Sequence, residues 1–266
     1  MEQVLLEKKG HKAYLILNRP EKLNALSMDM YRRIGKLLDE IEADEEIRVV
    51  ILKGNGKAFS AGYDLGQDES DITILQERRE IGVSNDNRWK IWNSSKPFIA
   101  QLHKYCLGGA CELALPCDYL IGTEDLLIGE PEIQFGENPA FLMIPWVCGL
   151  RKGKELLLTG EKITGKEAAE IGLITRAYPE DKLEEEVEKL ADKLIKISPP
   201  ALFMQKRGIN KIFETAGFRT SLESWVDLAL YFKVLKTDEV IEFNRIVDEQ
   251  GVKAALAWRD EYFAKK

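Results

Sequence analysis

Two glutamates and a glycine pair are the residues of this chain best suited to chemistry. Gly108 and Gly109 follow an apolar run at residues 97–102 that reads as a buried strand. They precede a stretch in which Ala110, Leu113, Ala114 and Cys117 share one helical face. A strand, a glycine turn and a helix start leave backbone N–H groups without intrahelical acceptors, at the positive end of the helix dipole. Such a place can hold an anion or a developing oxyanion. It is also what an ordinary tight turn looks like. Glu112 falls one turn later. Glu132 lies 20 residues beyond it, paired with Glu130 across Pro131, and one strand excursion could return it to the first. Two carboxylates in different surroundings can divide acid and base work, whereas most acidic pairs are simply solvated.

Other chemistries find little support. The loop at residues 54–65 is glycine-rich, but Gly54-Asn55-Gly56-Lys57 lacks the spacing and the Ser/Thr of a phosphate-binding P-loop. Phe59-Ser60-Ala61-Gly62 is not the G-x-S-x-G of a hydrolase elbow. His11 and His103 read as structural. Four cysteines with no CxxC pair, and only two histidines, argue against zinc; Cys106, Cys111, Cys117 and Cys148 read as buried free thiols of a reducing compartment. A net charge of −7 disfavours a broad nucleic-acid or anionic-membrane surface. No apolar h-region follows Met1, and no apolar run approaches the roughly 20 residues of a membrane span. The expectation is a cytoplasmic protein, or a matrix protein without its transit segment.

The elements that must position these groups are legible in outline. With 266 residues, 45% hydrophobic and 31% charged, the chain can bury a sizeable core. Residues 4–8 and 13–17 read as strands around Gly10, and residues 18–26 as an irregular loop. Ser27 can cap a helix whose buried stripe is Met30, Ile34, Leu37, Leu38 and Ile41. Residues 49–53 form an interior strand. Residues 66–95 suggest one or two helices with a flexible lead-in at 66–71, and residues 117–122 begin another strand. Residues 150–158 are helical, and Thr164 with Glu167 opens a capped helix that stops at Gly172. Leu183, Val187, Leu190 and Leu194 face inward from a charged helix at 182–197. After Pro199-Pro200 only helical patterns follow, at 201–213, 222–235, 240–247 and 252–263. This gives an α/β body over residues 1–198 and a helical region over 199–266, too short to stand alone and expected to rest on the body or on a partner subunit.

Taken together, several stretches resemble the crotonase (enoyl-CoA hydratase/isomerase) superfamily, collinearly from about residue 4 to the C-terminus. They are Asn18-Arg19-Pro20 with Asn24-Ala25-Leu26, Lys57-Ala58-Phe59-Ser60-Ala61-Gly62-Tyr63-Asp64-Leu65, and Lys96-Pro97-Phe98-Ile99-Ala100. Gly108-Gly109-Ala110-Cys111-Glu112-Leu113-Ala114, Cys117-Asp118, Pro131-Glu132, Leu157-Leu158-Thr159-Gly160 and Ala168-Ala169-Glu170-Ile171-Gly172-Leu173 complete the set. The resemblance implies an α/β fold of ββα repeats wound into a spiral, with a C-terminal helical region that builds homotrimers, often stacked as homohexamers. It implies acyl-CoA thioester substrates, coenzyme A entering as part of the substrate, and no other cofactor and no metal. The oxyanion hole would be the backbone N–H groups of Tyr63 and Gly109. Lys22, Leu23 and Ala25 would lie beside the CoA chain, and the loop carrying Ala58, Ala61, Asp64 and Leu65, with Gly108, would contact CoA. Glu112 would activate water at C3 and Glu132 would deliver a proton at C2. Keeping both carboxylates is similar to the hydratases; the double-bond isomerases commonly keep only the later one.

The chain departs from the pattern in places. Ala140 stands where a glycine whose N–H helps hold the water is usual, and Phe141, Leu142, Met143 and Trp146 make that wall bulky, as an acyl-shaping surface or as plain core. Lys104 replaces a frequent glycine. Trp258 and Ala255 replace a lysine and a phenylalanine that often reach the neighbouring subunit's CoA, while Arg259 and Phe263 keep the pattern. The first expectation is an enoyl-CoA hydratase. An enoyl-CoA isomerase, a hydratase of cyclic or dienoyl-CoA, and a non-catalytic RNA-binding relative remain alternatives.

Overall fold

The computed structural model describes residues 2–64, 73–234 and 237–264; the expected lead-in at 66–71, and Leu65, lie outside them. Strands β1 (Val4–Lys9) and β2 (Lys12–Leu17) form an antiparallel hairpin, with Gly10 at φ +59° in its turn. Helix α1 (Met28–Ala43) starts where Ser27 accepts the N–H of Met30, and its apolar stripe is buried as expected. Strand β3 (Val49–Gly54) and the single helix α2 (Ile74–Asn93) follow. Strand β4 (Phe98–Leu102) runs into β5 (Tyr105–Leu107), a strand the sequence reading does not contain, and only then into the glycine pair and helix α3 (Gly109–Ala114). That helix ends before Cys117, which is buried outside it. The next turn is β6 (Tyr119–Thr123), β7 (Leu127–Gly129), a short 3-10 turn at Glu132–Phe135, and α4 (Ile144–Thr159), broken at Gly149.

Strand β8 (Ile163–Thr164), helix α5 (Gly165–Glu170), strand β9 (Arg176–Tyr178) and helix α6 (Glu180–Leu194) close the α/β part. Thr164 and Glu167 make the expected reciprocal capping box. Strands β1-β2-β3-β4-β6-β9 form one sheet, parallel from β2 onward, and β5-β7-β8 form a second. The chain thus steps repeatedly from the large sheet to the small one and out through a helix, which is the spiral of ββα turns.

The interior strands β2, β3, β4 and β6 of the large sheet are buried on both faces, as parallel strands are. Ile16, Val49, Ile51, Ile99 and Ile121 point to α6, where Leu183, Val187, Ala191 and Leu194 cover them. Their neighbours Leu15, Leu17, Val50, Leu52, Ala100 and Leu102 point the other way, into a core shared with α1 and α3. Each such Val, Leu or Ile side chain contributes roughly 1.5–3 kcal/mol by leaving water.

Helices α7 (Pro199–Thr215), α8 (Phe218–Val234), α9 (Asp238–Gln250) and α10 (Val252–Ala264) follow. The first two rest on the body of their own chain. Lys206 donates to the carbonyls of Ile91 and Lys96 and to Asp118 at 3.1, 3.2 and 2.8 Å, and Phe218 is buried among Trp89, Trp92 and Trp146. Among the described residues no helix is long and apolar enough to cross a membrane.

Candidate active site

The spiral brings two loops against each other. Ser60 bridges to Cys106 of β5 and Tyr63 bridges to Leu26, so the loop after β3 is stitched between β5 and the segment after β2. Asn24, buried and at φ +55°, fastens this junction. Its amide donates to the carbonyls of Asn55 and Ala58, both at 2.8 Å, and accepts the N–H of Arg19 at 2.7 Å. Gly62 then passes so close to β5 that a Cβ there would sit 2.5 Å from the Leu107 carbonyl and 3.7 Å from the Gly109 nitrogen. Tyr63 and Gly109 are therefore adjacent, and among the described residues the N–H of neither meets a backbone acceptor.

The Tyr63 side chain covers Gly109: a Cβ there would lie 2.7 Å from ring atoms Cε2 and Cζ. Its hydroxyl donates to Glu112 at 2.6 Å and accepts from Arg88 at 2.8 Å. Glu112 and Arg88 are both fully buried and form an ion pair at 2.5 Å. The second oxygen of Glu112 accepts the backbone N–H of Phe141 at 2.9 Å. Arg88 also binds Ser84 at 3.2 Å and Asn85, and lies over the rings of Phe141 and Tyr31. Burial alone would lower the Arg88 pKa, but Glu112 and the two tyrosine hydroxyls more than offset it and leave it raised. The Tyr63 phenol is held well above its usual range, first by burial and then by Glu112 against Arg88, so it stays a donor.

Glu132 has the opposite setting. Both its oxygens are buried and neither meets a donor among the described residues. A Cβ on Gly108 would sit 2.5 Å from one of them, and Gly108 itself has φ +51°, so only glycine leaves room for this carboxyl. Burial, then the Glu112 charge, pushes the Glu132 pKa up to about 8. Glu130 is buried too, likewise without donors, and is raised well above the carboxyl range by burial, Glu112 and Glu132. One carboxylate thus takes three hydrogen bonds and the other none, and both border the glycine pair.

The remaining expected residues fall around this centre. Lys22 is exposed, and its amine is 3.8 Å from Asp64, which pairs with Arg19 at 2.5 Å. Leu23 is left-handed at φ +50°, its carbonyl accepts the N–H of Ala61, and Ala25 is half-buried beside it. Ala58 is fully buried. At the departures, Lys104 adopts φ +59°, the backbone that explains a frequent glycine there. Phe141, not Ala140, turns its N–H to Glu112. Trp146 joins the Phe218 cluster, Ala255 is buried between α9 and α10, Trp258 stacks on Tyr262, and Arg259 donates to the Gln134 carbonyl at 2.9 Å; Phe263 is exposed. His11 and His103 each bind a backbone carbonyl, of Glu46 and Gly56.

Sequence reasoning missed Arg88. Its signal was available: Ser84, Arg88, Ile91 and Trp92 share the buried face of α2, and an arginine on such a stripe needs a partner.

The sequence model of the enoyl-CoA hydratase/isomerase family matches residues 7–240. The chain belongs to the enoyl-CoA hydratase/isomerase family. It is 33% identical over 216 residues to the short-chain-enoyl-CoA hydratase of Clostridium acetobutylicum, covering 79% of this chain and 82% of that protein. With the crotonyl-CoA hydratase of Syntrophomonas wolfei it shares 31% identity over 219 residues, 80% and 84% of the two chains. An enoyl-CoA hydratase/isomerase from Xanthobacter autotrophicus Py2 superposes with a TM-score of 0.93 at 36% identity, over 98% of both chains. The spiral described above is the crotonase fold of this family.

Proposed function

We propose that the chain is an enoyl-CoA hydratase that adds water across the 2,3-double bond of an enoyl-CoA to give a 3-hydroxyacyl-CoA. The observation that carries this reading is the contrast between Glu112, bound by three donors, and Glu132, buried without any. An acceptor-only setting suits a carboxylate that orients and deprotonates water. A donor-free apolar setting suits a carboxyl that keeps its proton until C2 needs it. The thioester oxygen rests on the N–H groups of Tyr63 and Gly109. As the water oxygen bonds to C3, its proton passes to Glu112 and the π electrons move onto the thioester as an enolate. Glu132 then protonates C2, and transfer of the proton from Glu112 to Glu132 restores the starting state. Each oxyanion donor is worth roughly 3 kcal/mol in such chemistry.

Lys22, Leu23, Ala25, Ala58, Ala61, Asp64, Leu65 and Gly108 are assigned to the coenzyme A portion, on the family resemblance. No cofactor beyond the substrate's own coenzyme A enters the proposal. A homotrimer or homohexamer in the cytoplasm is the expected form. Isomerisation of a 3-enoyl-CoA is the second reading, favoured by one observation: Glu112 already holds three hydrogen bonds, so Glu132 could shuttle a proton alone. The test is loss of crotonyl-CoA absorbance by wild type, Glu112→Gln and Glu132→Gln. Hydration by wild type with a loss of 10²–10⁴-fold in each variant supports the reading. Activity of Glu112→Gln on a 3-enoyl-CoA, with no hydration by wild type, replaces it with the isomerase.

A further inference from the structure

A carboxylate offers about four acceptor sites, two on each oxygen. In Glu112 three are filled. Arg88 and the Tyr63 hydroxyl both donate to Oε2, at 2.5 and 2.6 Å, and the Phe141 N–H donates to Oε1 at 2.9 Å. Among the described residues one site is left, on Oε1. The three donors come from different parts of the chain: α2, the loop after β3 and the segment before α4. The clamp is itself braced. Arg88 is anchored by Ser84 and Asn85 on its own helix and faces the rings of Tyr31 and Phe141, and the Tyr31 hydroxyl reaches the Gly109 carbonyl at 3.3 Å. Neither carboxylate nor guanidinium touches solvent, so neither can swing to a second partner in water.

We propose that Arg88 and the Tyr63 side chain are positioning residues that occupy Oε2 of Glu112 and aim the single open acceptor site of Oε1 at the attacking water. This rests on the hydratase reading above. Tyr63 serves the site twice, through its backbone N–H at the oxyanion and through its phenol at the base. That links the two: a movement of this one residue shifts both the carbonyl's resting place and the direction of the base. The positive charge of Arg88 also compensates Glu112 inside the fold, which the donor-free carboxyls of Glu130 and Glu132 lack.

The test uses Tyr63→Phe, which keeps the backbone N–H and the ring but removes the phenol, together with Arg88→Lys. Expected for Tyr63→Phe are a 10–100-fold fall in kcat and a KM for crotonyl-CoA within threefold of wild type. Arg88→Lys, which keeps the charge but not the fork, is expected to lower kcat with KM preserved. A purely structural role changes the amount of folded enzyme and leaves kcat per folded enzyme at the wild-type value, and that result overturns the proposal.

Because Arg88→Met leaves a buried carboxylate unpaired and so lowers the yield of folded enzyme, thermal unfolding of Arg88→Met, Glu112→Gln and the double variant gives a second readout. The double variant is expected to melt above Arg88→Met, since it no longer strands a buried carboxylate. Strictly additive losses overturn the pairing. Absent hydration by wild type sinks the hydratase reading on its own, and the unfolding cycle still decides whether the clamp exists.

Discussion

A single methyl group at Gly109 probes the junction where the two loops meet. The Cβ of Gly109→Ala would lie 2.7 Å from two atoms of the Tyr63 ring, where ordinary contact begins at 3.4 Å, so the ring must retreat by at least 3.4 − 2.7 = 0.7 Å. Taken along the Tyr63–Glu112 hydrogen bond, that moves the oxygens from 2.6 Å to about 3.3 Å, beyond the range of a good O–H···O bond. Losing a hydrogen bond to a charged group costs about 1.5–3 kcal/mol, and overpacking a filled core costs about 1–3 kcal/mol. These share one displacement, so the expected loss of stability is about 2–4 kcal/mol rather than their sum. The Gly109 N–H survives but shifts with the helix start, and kcat is expected to fall by about one to two orders of magnitude, less than a full oxyanion donor. Urea unfolding gives the first quantity, and crotonyl-CoA hydration corrected for folded fraction gives the second. Gly82→Ala is the control: it lies within α2 with nothing within 4 Å of its Cβ, and is expected to gain about 0.5–1 kcal/mol. A Gly109→Ala enzyme with wild-type stability and turnover would refute the close approach of Tyr63 and the site built on it.

Three further outcomes follow from the same contacts. Glu132, raised from 4.5 to about 8 by burial and by Glu112, keeps its proton in the native state while the unfolded chain loses it. The stability it contributes is complete below about pH 4.5 and is lost as pH rises to about 8, so the unfolding midpoint of wild type should fall more steeply over that window than that of Glu132→Gln; parallel curves would contradict the burial. Asn24→Ala loses three hydrogen bonds and puts alanine at φ +55°, which should cost about 3 kcal/mol in denaturant unfolding and open the 54–64 loop to proteolysis; unchanged protection would show that the Asn24 clamp is not what holds it. Lys206→Met removes the donor to the Ile91 and Lys96 carbonyls and to Asp118, which keeps the Phe98 N–H and some access to water, and should cost about 1.5–3 kcal/mol; a neutral result would mean α7 is held by its apolar contacts alone.

Most of the fold could be read from the sequence where elements are long. The stripe Met30, Ile34, Leu37, Leu38 and Ile41 and the Thr164–Glu167 box carry their own periodic or capping signal, and both stand in the structure as read. The short strands could not be read so. Tyr105–Leu107, Ile163–Thr164 and Arg176–Tyr178 span two or three residues, fewer than one full alternation, and exist because a neighbouring strand supplies their hydrogen bonds. The same limit misplaced Cys117, which shares a helical spacing with Ala110 and Ala114 but lies beyond the helix end. At the site, the two glutamates and two glycine turns were legible because their residue types are distinctive. Arg88 was missed although it shares a helical face with Ile91 and Trp92, because in a mostly polar helix that short apolar stripe is faint. Nor could spacing alone foretell that Tyr63, named for its backbone, would place its phenol on Glu112.

Gly62 and Gly108 hold a loop and a helix start close enough to set two main-chain amides side by side. An amide hydrogen belongs to every residue type but proline, so mutation at Tyr63 or Gly109 can displace this pair of donors far more easily than delete it. The carboxyls at Glu112 and Glu132 have no such protection; one codon change removes either. Under the proposed mechanism, the anion-stabilising half of the site is the part that persists in a lineage descending from this scaffold, while the proton-handling half is free to be rewritten. New reactions on the same fold would then share a thioester enolate and differ in what is done to it.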